Sequence, residues 1–354
     1  MNKKHRKHRK HKRKDRVPMN KGTKTLLIIV SVIVGIALVL GAAVLILNAL
    51  GRSQLTDDGL GMNAIDGAEL LDEGRVRYKG QLYQYKKDIT TILLMGVDQP
   101  EKGMEAAEYE EGVQADMDVL LVLDPMEKKI TMISLSRDTM CQIDIVDASG
   151  NVTGTAKAQL ALSYAYGDGA DLSCQLTKNA VSRVFYGLPI SAYGSIYMDG
   201  IAELVDEVGG VTVTALETFN QFTEGQTVTL TRDNTNLYVR YRDHSTAEGN
   251  NQRMERQKQV LLGMARGLLS KVRQSPASIL DVYRAVQRNV TTDLNTASMV
   301  YLARTAAGMS LNNDVIKVQG EAVLGADGEH AEFTVDETAL YELILSVFYE
   351  PIDG

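Results

Sequence analysis

TTILLMGV at 90–97, DVLLVLD at 118–124 and KITMISLS at 129–136 decide the fold. The first two are nearly continuous apolar runs, the pattern of strands covered on both faces. Short turns rich in Gly, Pro or paired Lys separate them, as in DPMEKK at 124–129. Helical patterns follow over 158–166 and 171–186, the second with Leu172, Leu176, Val181 and Val184 near one face. Strand-like SAYGSIYM (191–198) leads into a short helix, IAELVDEV, which Gly209-Gly210 stops in the left-handed region. VTVTAL resumes as strand, a long helix covers about 250–272, and two more cover 277–288 and 294–308. A strand at 314–319 precedes FTVDETALYELILSVFYE, which starts extended and finishes helical. Strands alternating with helices predict an α/β fold with a mostly buried sheet and helices on both faces. No internal repeat is visible.

The 354 residues carry a net charge of −7, unevenly spread. Residues 1–24 hold 12 Lys/Arg against one acid, Asp15, leaving 26 basic and 44 acidic residues beyond them. An acidic body argues against nucleic acid as a partner. Hydrophobic content of 44% with 6 prolines excludes a mainly disordered chain, and two cysteines exclude a disulfide scaffold. LLIIVSVIVGIALVLGAAVLILNAL at 26–50 bears no charge and is long enough to span a bilayer. No A-x-A cleavage site follows it, so it reads as a retained anchor with the basic end cytoplasmic. The expected organisation is a basic cytoplasmic tail (1–24), one transmembrane helix (25–50), an extracytoplasmic stalk (51–74) and an extracytoplasmic domain (75–354). Cys141 and Cys174 then lie outside, either as one disulfide or as two buried thiols.

The chemistry concentrates in LYVRYRDHSTAEGNNQRMERQKQVLL at 237–262. Arg240 and Arg242, two apart on a strand-like stretch, share one face. Arg253, Arg256 and Gln257 stand at i, i+3 and i+4 on a helix and stack together. Arginine forks at a helix start match phosphate, and a surface ion-pair network is the plain alternative. Asp98 closes one strand, Asp116 and Asp118 open the next, and Arg137-Asp138 ends the third. Carboxylates at adjacent strand ends either hold a hard cation such as Mg²⁺ or cap turns. His244 and His330 are isolated, which leaves zinc unsupported, and no G-x-S-x-G stands in the chain. Gly-rich YGDGADLS at 166–173 reads as a structural helix-start loop.

The basic tail with one anchor, LLMGVD, QADMDVLLVLDP, ISLSRDT, LSYAYGDGADLSCQLT, LVDEVGGVTV and the R-x-R…R-x-x-R-Q block resemble, in this order, the LytR–CpsA–Psr family. The resemblance implies an α/β/α sandwich with a mixed central sheet, preceded by one transmembrane helix, in the cell membrane. It implies a phosphotransferase moving an anionic glycopolymer, such as teichoic acid or capsule, from a polyprenyl pyrophosphate carrier to peptidoglycan. Pyrophosphate then falls to Arg137, Arg240, Arg242, Arg253 and Gln257, with Arg256 beside them. Mg²⁺ falls to Asp98 and Asp116, and the catalytic set is Asp98, Asp116, Arg137 and Arg240. The alternatives are a non-catalytic polyprenyl-phosphate-binding envelope protein and a membrane-bound transcriptional attenuator. Two departures stand out: Gln114 replaces an arginine common in the family, and residues 99–115 form a long acidic connection.

Overall fold

The computed structural model describes residues 65, 67–71, 74–97, 113–241, 249–325 and 330–353. The expected tail, span and most of the stalk lie outside them, as do Asp98 and Arg242. Among the described residues no helix is long and apolar enough to cross a membrane.

The chain opens with β1 (Ala68–Leu71), β2 (Arg75–Tyr78), β3 (Gln81–Tyr85) and β4 (Thr90–Val97). Next come β5 (Ala115–Asp124), β6 (Lys129–Leu135), β7 (Met140–Val146) and β8 (Val152–Gln159). Helices α1 (Leu160–Ala165) and α2 (Asp171–Val184) lead to β9 (Ala192–Tyr197), α3 (Met198–Glu207) and the ribbon β10 (Val211–Thr214) with β11 (Thr227–Leu230). Helices α4 (Arg232–Arg240), α5 (Gly249–Gln274) and α6 (Ser278–Val286) follow, then β12 (Val290–Thr292), α7 (Thr296–Ala307) and β13 (Ser310–Lys317). The ribbon β14 (Gly320–Leu324) and β15 (Ala331–Val335), helix α8 (Glu337–Phe348) and β16 (Tyr349–Ile352) close the described chain.

Six strands in the order β12-β9-β4-β5-β6-β13 form the central sheet. Its β4/β9 and β6/β13 pairs are parallel and the others antiparallel, so the sheet is mixed. Alternate side chains explain the apolar runs. Leu93, Met95, Leu120, Val122 and Ile133 pack into one core with α1, α2 and α8, through Tyr164, Val181 and Ile344. On the other face Ile92, Leu123 and Ile130 pack with Leu269 of α5 and Tyr301 of α7. Both faces are therefore covered by helices, as the sequence pattern predicted. Gly209 and Gly210 do end α3 with φ of 88° and 87°. Strand β1 pairs with β2 in a separate sheet, so ordered structure begins inside the stretch read as stalk. Cys141 and Cys174 are both buried and free, and burial pushes their thiols up to about 12 and about 11.

Asp118 breaks the apolar pattern. It is fully buried opposite Met95 and Leu135, and neither of its oxygens has a hydrogen-bond partner. Burial first, then the Asp116 carboxylate, push its pKa up to about 8, with Arg137 pulling the other way. Its ordinary value is 3.8, so between pH 3.8 and about 8 the folded chain keeps a proton that the unfolded chain releases. Stability is then lost as pH rises through that window. The loss at pH 7 has a ceiling of about 4 kcal/mol, at roughly 1.4 kcal/mol per pH unit. Asp118→Val is expected to raise the melting temperature at pH 8 in metal-free buffer, with the advantage shrinking towards pH 5. Equal melting of the two proteins at pH 8 would sink this account.

Candidate functional site

A cavity of about 200 Å³ opens at the end of the sheet where β4 finishes and β5 begins. Asp116, Arg240, Arg253 and Gln257 supply its polar lining, and Met117, Met198, Ile201 and Leu261 are among its apolar walls. Five elements converge there, β4, β5, α3, α4 and α5.

Asp116 reaches the cavity through a bulge. Met117 stands opposite Gly96 and Ala115 opposite Val97, which leaves Asp116 as the extra residue of β5. Such an insertion re-aims a side chain and breaks the strand's alternation. Asp116 thereby lines the cavity while Asp118, two residues on, is sealed in the core. Of these two aspartates, Asp116, the one to which the family resemblance assigned the cation, is in the cavity.

Arg253 and Gln257 stand four apart on α5, and Val260, Leu261 and Met264 continue their stripe along the same wall. Gln257 Nε2 donates to the Val239 carbonyl at 3.4 Å, joining α5 to α4. Arg240 is the last residue of α4, which corrects the strand-like reading over 237–240. A capping pattern starts that helix: the Thr231 N–H donates to Asn234 Oδ1 at 2.8 Å, and Thr235 Oγ1 donates to the Thr231 carbonyl at 2.6 Å. The argument that Arg240 and Arg242 share a strand face therefore lapses. Arg240 Nη2 sits 3.7 Å from Asp199 Oδ1, with both side chains half-exposed. Asp199 stands in the first turn of α3, which the sequence placed two residues too late to include it.

Arg137, at the end of β6, does not line the cavity but binds a residue that does. Its Nη1 donates to Asp116 Oδ1 and its Nη2 to Gln114 Oε1, while Nε lies 3.6 Å from Asp138 Oδ1.

Arg256 is a correction. It was expected beside the pyrophosphate, yet its side chain is 0% exposed. Its Nε donates to the Tyr238 carbonyl at 2.9 Å, Nη1 to Glu217 Oε1 and Nη2 to the Tyr241 carbonyl. The guanidinium lies 4.9 Å from the Phe219 ring centre and 5.3 Å from that of Tyr241. An offset of three residues turns it to the flank of the helix, whereas Gln257, at four, stays above Arg253. Asp98 and Arg242 lie outside the described residues. The YGDGADLS loop is held by its own contacts, with Tyr164 and Tyr197 hydroxyls both donating to the Gly169 carbonyl at 3.1 and 2.6 Å.

Two guanidinium groups and one carboxylate make the lining net positive, and the α3 N-terminus adds its dipole through Met198. This is chemistry for an anion with several oxygens. A second cavity, of about 320 Å³, lies between the sheet and α5, α6 and α7, walled by Leu94, Leu121, Leu268, Val282 and Leu302. On β4, Gly96 lines the first cavity and Ile92 and Leu94 the second; on α5, Leu261 and Met264 give way to Ala265 and Leu269. A charged cavity and an apolar one thus lie in succession along the same strand and helix.

The profile of the LytR_cpsA_psr family matches residues 63–343. The chain belongs to that family. A polyisoprenyl-teichoic acid–peptidoglycan teichoic acid transferase, TagU, of Enterococcus faecalis is 31% identical over 289 residues, covering 80% of this chain and 84% of that protein. The TagU of Halalkalibacterium halodurans is 30% identical over 241 residues, covering 66% and 71%. Among solved structures, protein gbs0355 of Streptococcus agalactiae superposes with a TM-score of 0.58 at 23% identity, covering 73% of this chain and 86% of that one. TagV of B. subtilis superposes at 0.55 and 22% identity, covering 75% and 96%. These likenesses establish for this LytR_cpsA_psr member a mixed sheet clothed in helices.

Proposed function

We propose that this LytR_cpsA_psr protein is a membrane-anchored phosphotransferase that moves an anionic glycopolymer from a polyprenyl pyrophosphate carrier to peptidoglycan. The observation that carries the reading is a charged cavity and an apolar one set in succession along β4 and α5, because a prenyl pyrophosphate has that division within one molecule. The names of the TagU relatives, which specify teichoic acid and peptidoglycan, support the same reading.

In the proposed reaction, Arg240 and Arg253 hold the pyrophosphate oxygens and Gln257 adds an amide donor. A peptidoglycan sugar hydroxyl attacks the phosphorus that bears the glycopolymer. A new P–O bond forms to that hydroxyl, the bond to the bridging oxygen breaks, and polyprenyl phosphate leaves with the bond's electron pair. The hydroxyl proton passes to a carboxylate, with Asp98 and Asp116 as candidates. Arginines gain strength as negative charge moves onto the leaving phosphate.

Mg²⁺ is the cofactor we assign to the site, held by Asp116 and Asp98. The donor chemistry suits it: Asp116 is the one carboxylate among the described residues that line the cavity. Magnesium is commonly bound so, by one or two carboxylates with phosphate oxygens completing its shell. When bound, it supplies positive charge to the phosphate oxygens and the leaving group. The uncharged run at 26–50 would anchor the chain, and its basic flank would keep residues 1–24 cytoplasmic.

The test uses the full chain in detergent, with a glycopolymer-bearing prenyl pyrophosphate and peptidoglycan. Polymer covalently joined to peptidoglycan, with equimolar prenyl phosphate released only when Mg²⁺ is present, is the expected result. Lipid binding without release would leave a carrier-binding protein, and release without joined polymer would leave a hydrolase.

A further inference from the structure

The donors of Arg137 face acceptors and acids of the protein itself. One terminal nitrogen is on Asp116, the other on Gln114, and Nε is turned towards Asp138 at 3.6 Å. Arg240 and Arg253 line the anion cavity, and Arg137 does not. Strands β5 and β6 are already paired through Asp118↔Leu135 beside this point, so the sheet has no need of Arg137 as a tie.

We propose that Asp116 and Gln114 form a latch that holds Arg137 off the phosphates, and that cation entry at Asp116 opens it. The proposal rests on reading the cavity as a cation-assisted pyrophosphate site. Asp116 Oδ1 now carries the guanidinium, and a divalent ion on that oxygen would repel it at close range. Gln114 is neutral, so the ion does not displace Arg137 from it by competing for a charge. Its single hydrogen bond is given up once the Asp116 half of the latch is lost, and the freed nitrogens of Arg137 meet the phosphates. A cation and a pyrophosphate then help one another through one side chain, which is a coupling between two ligands.

The test is a double-mutant cycle on the full chain in detergent, using calorimetry with inorganic pyrophosphate and a chelator so that no metal is present. Asp116→Asn opens the latch without a cation and is expected to tighten pyrophosphate binding at least about tenfold, the lower end of what one charge-assisted hydrogen bond is worth. Gln114→Met removes an acceptor without changing charge, and about a threefold gain is expected. Both gains should vanish when Arg137→Gln is already present. A gain from Asp116→Asn that persists in that background would mean the carboxylate acts directly on the ligand, and the latch is overturned. Absence of a gain in either single variant overturns it equally. Wild-type protein that fails to bind pyrophosphate even with Mg²⁺ would overturn the site reading itself, a result separable from binding without coupling.

Discussion

Arg256→Ala is expected to destabilise the folded chain by about 3–5 kcal/mol, the usual consequence of removing one partner of a buried ion pair. The side chain is among the largest fully buried in the molecule. Its loss strands the Glu217 carboxylate, which is 17% exposed, together with the carbonyls of Tyr238 and Tyr241. It also removes a cation from beside Phe219 and Tyr241, whose rings are stacked with centroids 4.2 Å apart. Lysine should recover little, because one ammonium cannot serve three acceptors that a guanidinium reaches in fixed directions. The chain has no tryptophan, so far-ultraviolet circular dichroism during denaturation is the suitable measurement. An alanine variant within about 1 kcal/mol of wild type would show the cluster to be incidental, given the size expected of a broken buried pair. The clamp ties the end of α4, which carries Arg240, to α5, which carries Arg253. Sub-denaturing loss of anion binding should therefore accompany the loss of stability.

The same residue shows how far the sequence could be read. Arg256 belongs to a motif whose every polar member looks like a ligand contact, and only the helix's angular offset separates it from Arg253 and Gln257. Strands β4, β5 and β6 were plain because burial on both faces leaves an unbroken apolar run. Strand β8, VTGTAKAQ, left no such trace, since it is exposed along most of its length. Helix α4 was mistaken for strand because LYVRY alternates, although Leu237 is 40% exposed and the cap at Thr231 decides the conformation. The β5 bulge that turns Asp116 into the cavity depends on pairing between distant residues, and no local pattern announces it. Arg240, Arg253, Gln257 and Asp116 were legible as types at spacings. Their convergence on one cavity was not, because it is made by the packing of α3, α4 and α5 against the sheet end.

Arg253→Ala should lower transfer by at least about 100-fold, as removal of one preorganised donor to developing charge commonly does. Arg253 faces the cavity near the start of α5, one turn before Gln257, and the apolar space begins about three turns further along the same helix. Its positive charge is placed to hold pyrophosphate oxygens on which negative charge builds as prenyl phosphate leaves. Interaction with that phosphate strengthens as its negative charge grows, so kcat should fall more than apparent lipid affinity. Arg253→Lys retains the charge but not the fork and should fall between the two. Neither variant should melt more than a few degrees below wild type, in contrast to Arg256→Ala, because Arg253 lines a cavity instead of filling a core. Transfer by Arg253→Ala at wild-type rate, with saturating lipid and Mg²⁺, would remove this arginine from the reaction. Loss of affinity alone, with kcat intact, would assign it to holding the carrier in the ground state.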